Sequence, residues 1–238
     1  MRSAFPGIPS AGIDFFRSLA RHNNRDWFLP RKHIFEEQVK QPMRELVAAL
    51  NAAMMDFAPD YTTDPDKAIL RIYRDTRFSK DKTPYKTHLA ANFRWRGSGR
   101  HEGAGFYFAI SHKEVAIGGG LYIPTPEALL AMRNYIADNY EELRKVAGSR
   151  TVRRLLGEVQ GEQLTRVPKG FAADHPAADW LRFKQYIFYM VLEPEIATSP
   201  ALLREIVQRF RAMTPFVAFL NRALAPAKKK IDARELLL

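Results

Sequence analysis

Cationic and hydroxyl side chains crowd into one short segment of the sequence, RIYRDTRFSKDKTPYKT at positions 71–87. Guanidinium and ammonium groups bind phosphate and carboxylate oxygens through charge-assisted hydrogen bonds, and hydroxyl groups add further donors. The segment is therefore a candidate anion-binding site. Its candidate contacts are the six cations Arg71, Arg74, Arg77, Lys80, Lys82 and Lys86.

The excess positive charge of the chain is concentrated in the same region. The 238 residues include 37 Lys and Arg against 26 Asp and Glu, which gives a formal net charge of +11. Residues 71–100 alone hold nine of these cations and two of the acids, a net charge of +7. A cluster of one sign creates a local potential that attracts anions. The expected partner is an anionic, phosphate-bearing small molecule or a nucleic acid.

Three interpretations of the 71–87 segment are open at this level. In the first, the protein is a binding module. We then expect Arg71 to touch the ligand, with Lys80 and Lys82 at the rim, because a group on a rigid strand binds at less entropic cost than one on a loop.

In the second interpretation, the segment is a structural clasp whose cations pair with distant carboxylates. The candidate partners are Glu36, Glu37 and Glu45.

The third interpretation is an enzyme that acts on a small anionic substrate. The same cations would hold the substrate, and Asp75 or His88 would supply the acid–base group. This requires Arg71, Tyr73 and Asp75 to line a concave pocket with the glycines at 118–120, and His88 to reach it. The surrounding cations would keep Asp75 ionised, which suits an orienting role better than proton donation. Whether the protein is an enzyme is left open by the sequence.

Aromatic residues interleave with the cations, as stacking platforms for single-stranded nucleic acid would require. They are Phe78, Tyr85, Phe93 and Trp95. In the strand predicted for 88–96, however, Phe93 and Trp95 alternate with polar residues in the way that a buried face does. This alternation weakens the case for stacking.

Other kinds of site find little support in the sequence. The chain has no cysteine, which excludes disulfides, zinc–thiolate sites and cysteine nucleophiles. None of its six histidines falls in a metal-binding pattern, and the glycine fingerprints of nucleotide-binding loops are absent. We therefore assign no metal site and no cofactor-binding residues, and the cofactor stays unknown.

The sequence predicts neither a membrane protein nor a secreted one. The longest wholly apolar run, at 186–192, has seven residues, far fewer than the ~20 that a membrane span needs. The first residues lack the apolar region of a secretory signal. Together with the absence of cysteine, this predicts a cytoplasmic location. The oligomeric state is not indicated.

Hydrophobic periodicity predicts one α+β domain over residues 1–238. Its mainly antiparallel sheet of about four or five strands would be flanked by N-terminal and C-terminal helices, because short connections favour antiparallel pairing. Residues 1–9 are predicted to be an irregular lead-in and residues 226–238 a basic tail. The predicted strands are 68–75, 88–96, 105–111 and 115–118, with a turn at 97–100.

Six helical stretches are predicted around these strands. The apolar stripe at 35–54 contains Pro42, which should kink the helix or start a second one. A helix after Asp174 would carry Trp180 and Phe188 on one side. The other predicted helices start at Ser10, at Pro126, at Thr151 and after Ser199-Pro200.

Four motifs resemble the signature of a known family. They are Asn23-Asn24-x-x-Trp27-Phe28, the whole 71–87 segment, Gly118-Gly119-Gly120 and Pro168-Lys169-Gly170-Phe171. In these motifs the chain is similar to the bacterial and fungal family catalogued as domain of unknown function 2461, over roughly residues 12–222. The resemblance implies a single compact domain. It implies nothing about mechanism, since the family carries no established activity, cofactor or catalytic residue.

Overall fold

A computed structural model describes residues 5–96 and 103–225 of the chain. Its strands form one four-stranded antiparallel sheet in which neighbouring strands follow the order of the sequence. The predicted α+β fold class is confirmed. The strands are β1 (His88–Arg94), β2 (Gly105–Ser111), β3 (Val115–Leu121) and β4 (Tyr186–Leu192).

Helices surround the sheet in three groups, before β1, between β3 and β4, and after β4. The first group is α1 (Ser10–Arg21), α2 (Arg25–Phe28), α3 (Lys32–Phe35), α4 (Gln41–Met54) and α5 (Pro65–Ala68). The second is α6 (Pro126–Asp138), α7 (Tyr140–Gly148), α8 (Arg150–Leu156) and α9 (Ala178–Leu181), and the last is α10 (Ala201–Leu224). Short 3-10 helices at Leu29–Arg31, Pro59–Tyr61 and Pro194–Thr198 and a π-helical turn at Glu36–Lys40 complete the helical structure of the described residues.

One face of the sheet is buried against α10. The Phe210 ring of this helix lies 4.9 Å from the ring centroid of Phe106 and 5.6 Å from that of Phe93. Further along α10, the ring of Phe216 lies 4.9 Å from Phe188 on β4. The same core continues through the N-terminal helices, so the described residues form a single domain.

The opposite face of the sheet carries small side chains. Ala90, Ala109 and Ala116 occupy directly paired positions on β1, β2 and β3. They form a separate small cluster, against which Leu70 and Tyr107 pack. In the part of the chain that the structure describes, no helix packs on these alanines.

The N-terminal helical stripe is interrupted as Pro42 predicts. A π-helical turn at Glu36–Lys40 follows α3, and α4 begins at Gln41 with Pro42 in its first turn. A proline fits there because the first turn of a helix needs no backbone N–H. The helical backbone continues through this point, and the interruption is a change from π-helical to α-helical hydrogen bonding just before Pro42.

The strand predicted for 68–75 does not form. Ala68 ends α5, and the residues after it make two isolated bridges, Ile69 to Ala91 and Tyr73 to Tyr85. Pro84 lies opposite Arg74 and can only accept a hydrogen bond, because it has no backbone N–H. A regular ladder between residues 72–74 and 84–86 therefore does not extend past Pro84, and the sheet keeps the four strands β1 to β4.

The helix predicted after Asp174 is also wrong in its second half. Only α9 is helical there, and Phe188 belongs to β4. The spacing of Trp180 and Phe188 matches a helix, but 186–192 is a short apolar run that suits a strand. Strand β3 is longer than predicted and reaches Leu121. The predicted turn at 97–100 and the basic tail at 226–238 lie outside the described residues.

We expect the buried side chain of Asn221 to contribute strongly to stability. Its Oδ1 accepts from the Ala104 N–H at 2.8 Å, and its Nδ2 donates to the Ala104 carbonyl at 3.0 Å and to the Tyr61 hydroxyl at 2.7 Å. Each buried polar group left unpaired costs about 1–3 kcal/mol. Asn221→Ala should therefore lower the free energy of unfolding by on the order of 3 kcal/mol, measured by urea denaturation.

Tyr61→Phe is the matched control, because it removes one of these bonds and leaves the two to Ala104. Its loss of stability should be clearly smaller. Equal losses in the two variants would show that the hydrogen bonds to Ala104 contribute nothing.

Candidate anion-binding site

Residues 71–87 form an irregular hairpin beside β1, called here the basic hairpin. Its two arms are joined by the Tyr73–Tyr85 bridge. The Arg74 N–H donates to the Pro84 carbonyl at 2.9 Å, and the Lys86 N–H donates to the Ile72 carbonyl at 2.8 Å. The first arm is thereby fixed in position.

The turn between α1 and α2 anchors the second arm. The side chain of Asn23 donates from Nδ2 to the Tyr85 carbonyl at 2.9 Å and accepts from the Tyr85 N–H at 3.1 Å. Asn24 caps α2 through the Trp27 N–H, and the ring of Phe28 then stacks on Tyr85 at a centroid distance of 4.1 Å. The Asn-Asn-x-x-Trp-Phe motif is thus the structural partner of the basic hairpin.

Two of the six candidate cations are neutralised inside the hairpin. The Arg77 guanidinium binds both carboxylate oxygens of Asp75, at 3.0 and 2.8 Å. Arg74 forms an ion pair with Asp81 and also bonds the Thr83 hydroxyl. These arginines and the backbone N–H groups bonded to each carboxylate lower the pKa of Asp75 and of Asp81 to about 2.

The distant acids proposed for the structural clasp do not reach the hairpin. Glu36 pairs with Lys40 at 3.0 Å, and Glu45 accepts from the Gln41 amide at 3.1 Å. No ion pair among the described residues joins Glu36, Glu37 or Glu45 to residues 71–87. The hairpin is held to the helices by Asn23 and by ring stacking instead.

A cavity of about 210 Å³, called here the Arg71 cavity, lies between the first arm and the α3 region. Its polar lining residues are Lys32, Glu36, Lys40, Asp66, Arg71 and Tyr73. Its apolar lining residues are Phe28, Phe35, Ile69, Leu70, Ile72 and Leu89. Among the hairpin cations, Arg71 is the one that lines it.

The ion pairs around this cavity leave it with unpaired positive charge. Glu36 is taken by Lys40, and the Asp66 carboxylate accepts from the Arg44 Nε at 2.8 Å. Within the described residues, neither Lys32 nor Arg71 has a carboxylate at ion-pair distance. Both cations are exposed, so they attract an anion by charge through solvent, while the apolar lining residues add contact area for the rest of the ligand.

The remaining hairpin cations are spread over other surfaces. Lys80 is exposed, and the Lys82 ammonium donates to the Thr76 carbonyl at 2.9 Å. Lys86 is partly buried, and burial and the charge of Arg71 lower its pKa. Burial and the charge of Lys86 likewise lower the pKa of His88. The six cations therefore do not form one continuous patch.

The arrangement required by the enzyme interpretation is not assembled. Neither Asp75 nor His88 lines the Arg71 cavity, and the carboxylate of Asp75 is bound by Arg77. Residues 118–120 lie inside β3 and are paired with both neighbouring strands. Within the described residues, no three His, Asp or Glu side chains lie together as metal ligands do.

The interleaved aromatic residues do not form a row of stacking platforms. Phe78 is 95% exposed, whereas Tyr85 and Phe93 belong to the core. Trp95 is partly buried and packs against that core.

A family comparison now adds to this geometry. The model of a family described as "Conserved hypothetical protein (DUF2461)" matches residues 11–219. The chain belongs to this family. The match confirms the predicted family, and it includes every residue that lines the Arg71 cavity. Neither the curated proteins nor the solved structures contain a significant match.

Sequence reasoning missed the helical side of the Arg71 cavity. Lys32, Glu36 and Lys40 follow one another at four-residue steps, the spacing that places side chains on one face of a helix. That periodicity was the available signal, but the net charge of residues 1–70 is zero and drew no attention to it.

The helices of the described chain include none long and apolar enough to cross a membrane.

Removal of the Asn23 amide should loosen the basic hairpin. Asn23→Ala leaves the N–H and the carbonyl of Tyr85 without these partners, so we expect the free energy of unfolding to fall by roughly 1–3 kcal/mol. Urea denaturation measures this. Asn23→Asp keeps the acceptor for the Tyr85 N–H and should lose less. A fully stable Asn23→Ala variant would contradict the anchoring role.

The two internal ion pairs can be separated by titration. Arg74→Met should raise the pKa of Asp81 from about 2 towards its ordinary 3.8 and leave Asp75 at about 2. Arg77→Met should raise the pKa of Asp75 towards 3.8 and leave the pKa of Asp81 at about 2. Because both pKa values are lowered, the pairs stabilise the hairpin above pH 3.8 and this stabilisation fades as the pH falls towards about 2. Carboxyl ¹³C NMR reads each aspartate directly, and coupled shifts of both would contradict the pairing.

Proposed function

We propose that this protein binds a small anionic, phosphate-bearing ligand in the Arg71 cavity, with Arg71 and Lys32 as its cationic contacts, and that it does so in the cytoplasm. One observation carries the proposal. Arg71 lines a cavity in which both acidic residues are already paired with other cations, while Arg71 itself has no carboxylate at ion-pair distance in the described chain.

Rigidity supports Arg71 over the other hairpin cations. The residues on either side of it are hydrogen-bonded, since the Leu70 N–H donates to Ala90 at 2.8 Å and the Ile72 carbonyl accepts from Lys86 at 2.8 Å. A group on a fixed backbone binds at a smaller entropic cost than a group on a flexible loop. Lys80, on the exposed part of the hairpin, suits long-range attraction of the ligand instead.

The lining of the cavity limits the chemistry of the ligand. Its volume of about 210 Å³ is below the ~300–1,000 Å³ of pockets for drug-sized molecules, so the ligand is small. Phe28, Phe35 and Leu89 give it an apolar wall, and Tyr73 is 47% exposed beside it. An anionic head group on a small apolar body satisfies both kinds of surface.

The exchange of Arg71 for Lys tests the position of the site. Phenyl phosphate, which joins an anionic head to an apolar ring, should raise the melting midpoint more than inorganic phosphate does, because a ligand specific to the folded state stabilises it. Arg71→Lys should weaken the binding of phenyl phosphate about tenfold or more, since an ammonium cannot replace the planar fork of a guanidinium. Calorimetry or a thermal-shift titration gives the affinities.

Lys80→Arg is the matched control and should change the affinity for phenyl phosphate less than about twofold, because Lys80 does not line the Arg71 cavity and a charge at a distance is screened by salt. Equal losses in the two variants, or a greater loss at Lys80, would place the anion site on the exposed part of the hairpin. No stabilisation by phenyl phosphate or by phosphate would contradict the proposal as a whole.

A further inference from the structure

The first arm of the basic hairpin presents a half-exposed ring beside the cation of the Arg71 cavity. Tyr73 is 47% exposed, whereas Ile72 before it and Tyr85 across the hairpin are buried. Both Arg71 and Tyr73 line the cavity. The Cα atoms of residues two positions apart are at most ~7 Å from one another, so the cation and the ring belong to the same part of the cavity wall.

The ring of Tyr73 is the exposed member of an aromatic cluster. Its centroid lies 6.4 Å from that of Phe28 and 5.4 Å from that of Tyr85, both in tilted arrangements. Phe28 in turn lies 5.7 Å from Phe35, and both phenylalanines are buried residues of the cavity lining. Aromatic rings with centroids ~4.5–7 Å apart attract one another beyond the area that they bury. A ring bound in the cavity would join this cluster through the exposed part of Tyr73.

The backbone beneath this ring is fixed before any ligand binds. Tyr73 itself bridges to Tyr85, and hydrogen bonds of 2.8 and 2.9 Å tie its neighbours Ile72 and Arg74 to the second arm. A side chain on a fixed backbone contributes to binding at a smaller entropic cost than one on a mobile loop. Tyr73 therefore has the rigidity that we noted for Arg71.

The size of the cavity suits one aromatic ring and one small anionic group. An apolar cavity of ~150 Å³ holds a benzene molecule, and a water molecule takes up ~30 Å³ of the liquid. The Arg71 cavity measures about 210 Å³. It therefore exceeds a benzene site by about two water volumes, which leaves room for a phosphate group but not for a phosphate and a ribose.

We propose that the ligand of the Arg71 cavity is an aryl phosphate, with its phosphate attached directly to a flat aromatic ring, and that Tyr73 selects this ring. Arg71 and Lys32 hold the phosphate, and Tyr73 holds the ring. This inference rests on the proposed function, because it assigns the body of the ligand whose anionic head lies at Arg71. It adds a preference for an aromatic over an aliphatic body, which the proposed function does not require.

Cyclohexyl phosphate is the matched ligand for the test, because it has the charge of phenyl phosphate and a ring of similar size that is not aromatic. In calorimetric titrations the protein should bind phenyl phosphate about two- to tenfold more tightly than cyclohexyl phosphate. If apolar area alone decided the affinity, the larger aliphatic ring would bind at least as tightly. The order of the two affinities thus separates ring stacking from hydrophobic burial.

Tyr73→Leu removes the aromatic ring and keeps an apolar side chain. It should bring the ratio of the two affinities to about one, through weaker binding of phenyl phosphate, whereas Tyr73→Phe should keep the ratio within about twofold. A melting curve shows whether each variant is folded. A purely structural role of Tyr73 would lower both affinities together and leave their ratio unchanged.

Phe78→Leu is the matched control, because Phe78 belongs to the same hairpin, is 95% exposed and does not line the cavity. Both affinities should stay as they are in the parent protein. In the parent protein itself, nuclear Overhauser contacts should join the phenyl protons of the ligand to the ring of Tyr73, and this measurement needs no variant to fold.

Three results would overturn this inference and leave the proposed function intact. The first is binding of cyclohexyl phosphate that equals or exceeds that of phenyl phosphate in the parent protein. The second is an unchanged ratio of affinities in folded Tyr73→Leu, or a larger change of the ratio in Phe78→Leu. The third is a bound phenyl ring without contacts to Tyr73. Failure of both ligands to bind would instead overturn the proposed function, and this inference with it.

Discussion

The amide of Asn23 satisfies both backbone polar groups of Tyr85, and this contact determines where the basic hairpin lies. The stacking of Phe28 on Tyr85 adds apolar contact at the same point. With its second arm fixed in this way, the hairpin's cross-arm hydrogen bonds fix the first arm as well. Arg71 is consequently held at the wall of a cavity whose opposite side is the α3 region. Loss of the anchor would release a cation-rich loop into solvent.

Structural and ligand-binding roles can coexist in the basic hairpin because its two acids are placed to neutralise only part of its charge. Asp75 and Asp81 each bind an arginine two or seven residues away, so the loop is shaped by its own ion pairs. Exposed pairs of this kind add little stability, but they orient the side chains that form them. The cations without such partners supply the net potential. The segment is thus shaped by its internal ion pairs and still keeps a net positive charge.

Local patterns predicted much of this fold from sequence, and the failures have physical causes. The strands predicted at 88–96 from alternation and at 105–111 from an apolar run are found at His88–Arg94 and Gly105–Ser111, because these patterns act over a few residues. Residues 68–75 do not form a strand, because Ala68 belongs to α5 and the residues after it bridge to β1 at Ile69 and to the second arm of the hairpin at Tyr73. The apolar residues in 180–191 have helical spacing by coincidence, because most of this stretch belongs to β4. The spacing of Lys32, Glu36 and Lys40 predicts one helix face, but only the folded chain brings that face against Arg71.

The three glycines of β3 are accounted for by three different packing requirements. At Gly119 a Cβ would lie 3.0 Å from Met213 on α10, and at Gly120 the φ of +127° disfavours any side chain, so the buried face and the backbone require both. Gly118 belongs to the open face, where the ring of Tyr189 lies beside it. A glycine inside a strand weakens the strand because it has no side chain to pack. Tyr189 is only 38% exposed, and a cross-strand aromatic ring that packs beside a glycine offsets this loss.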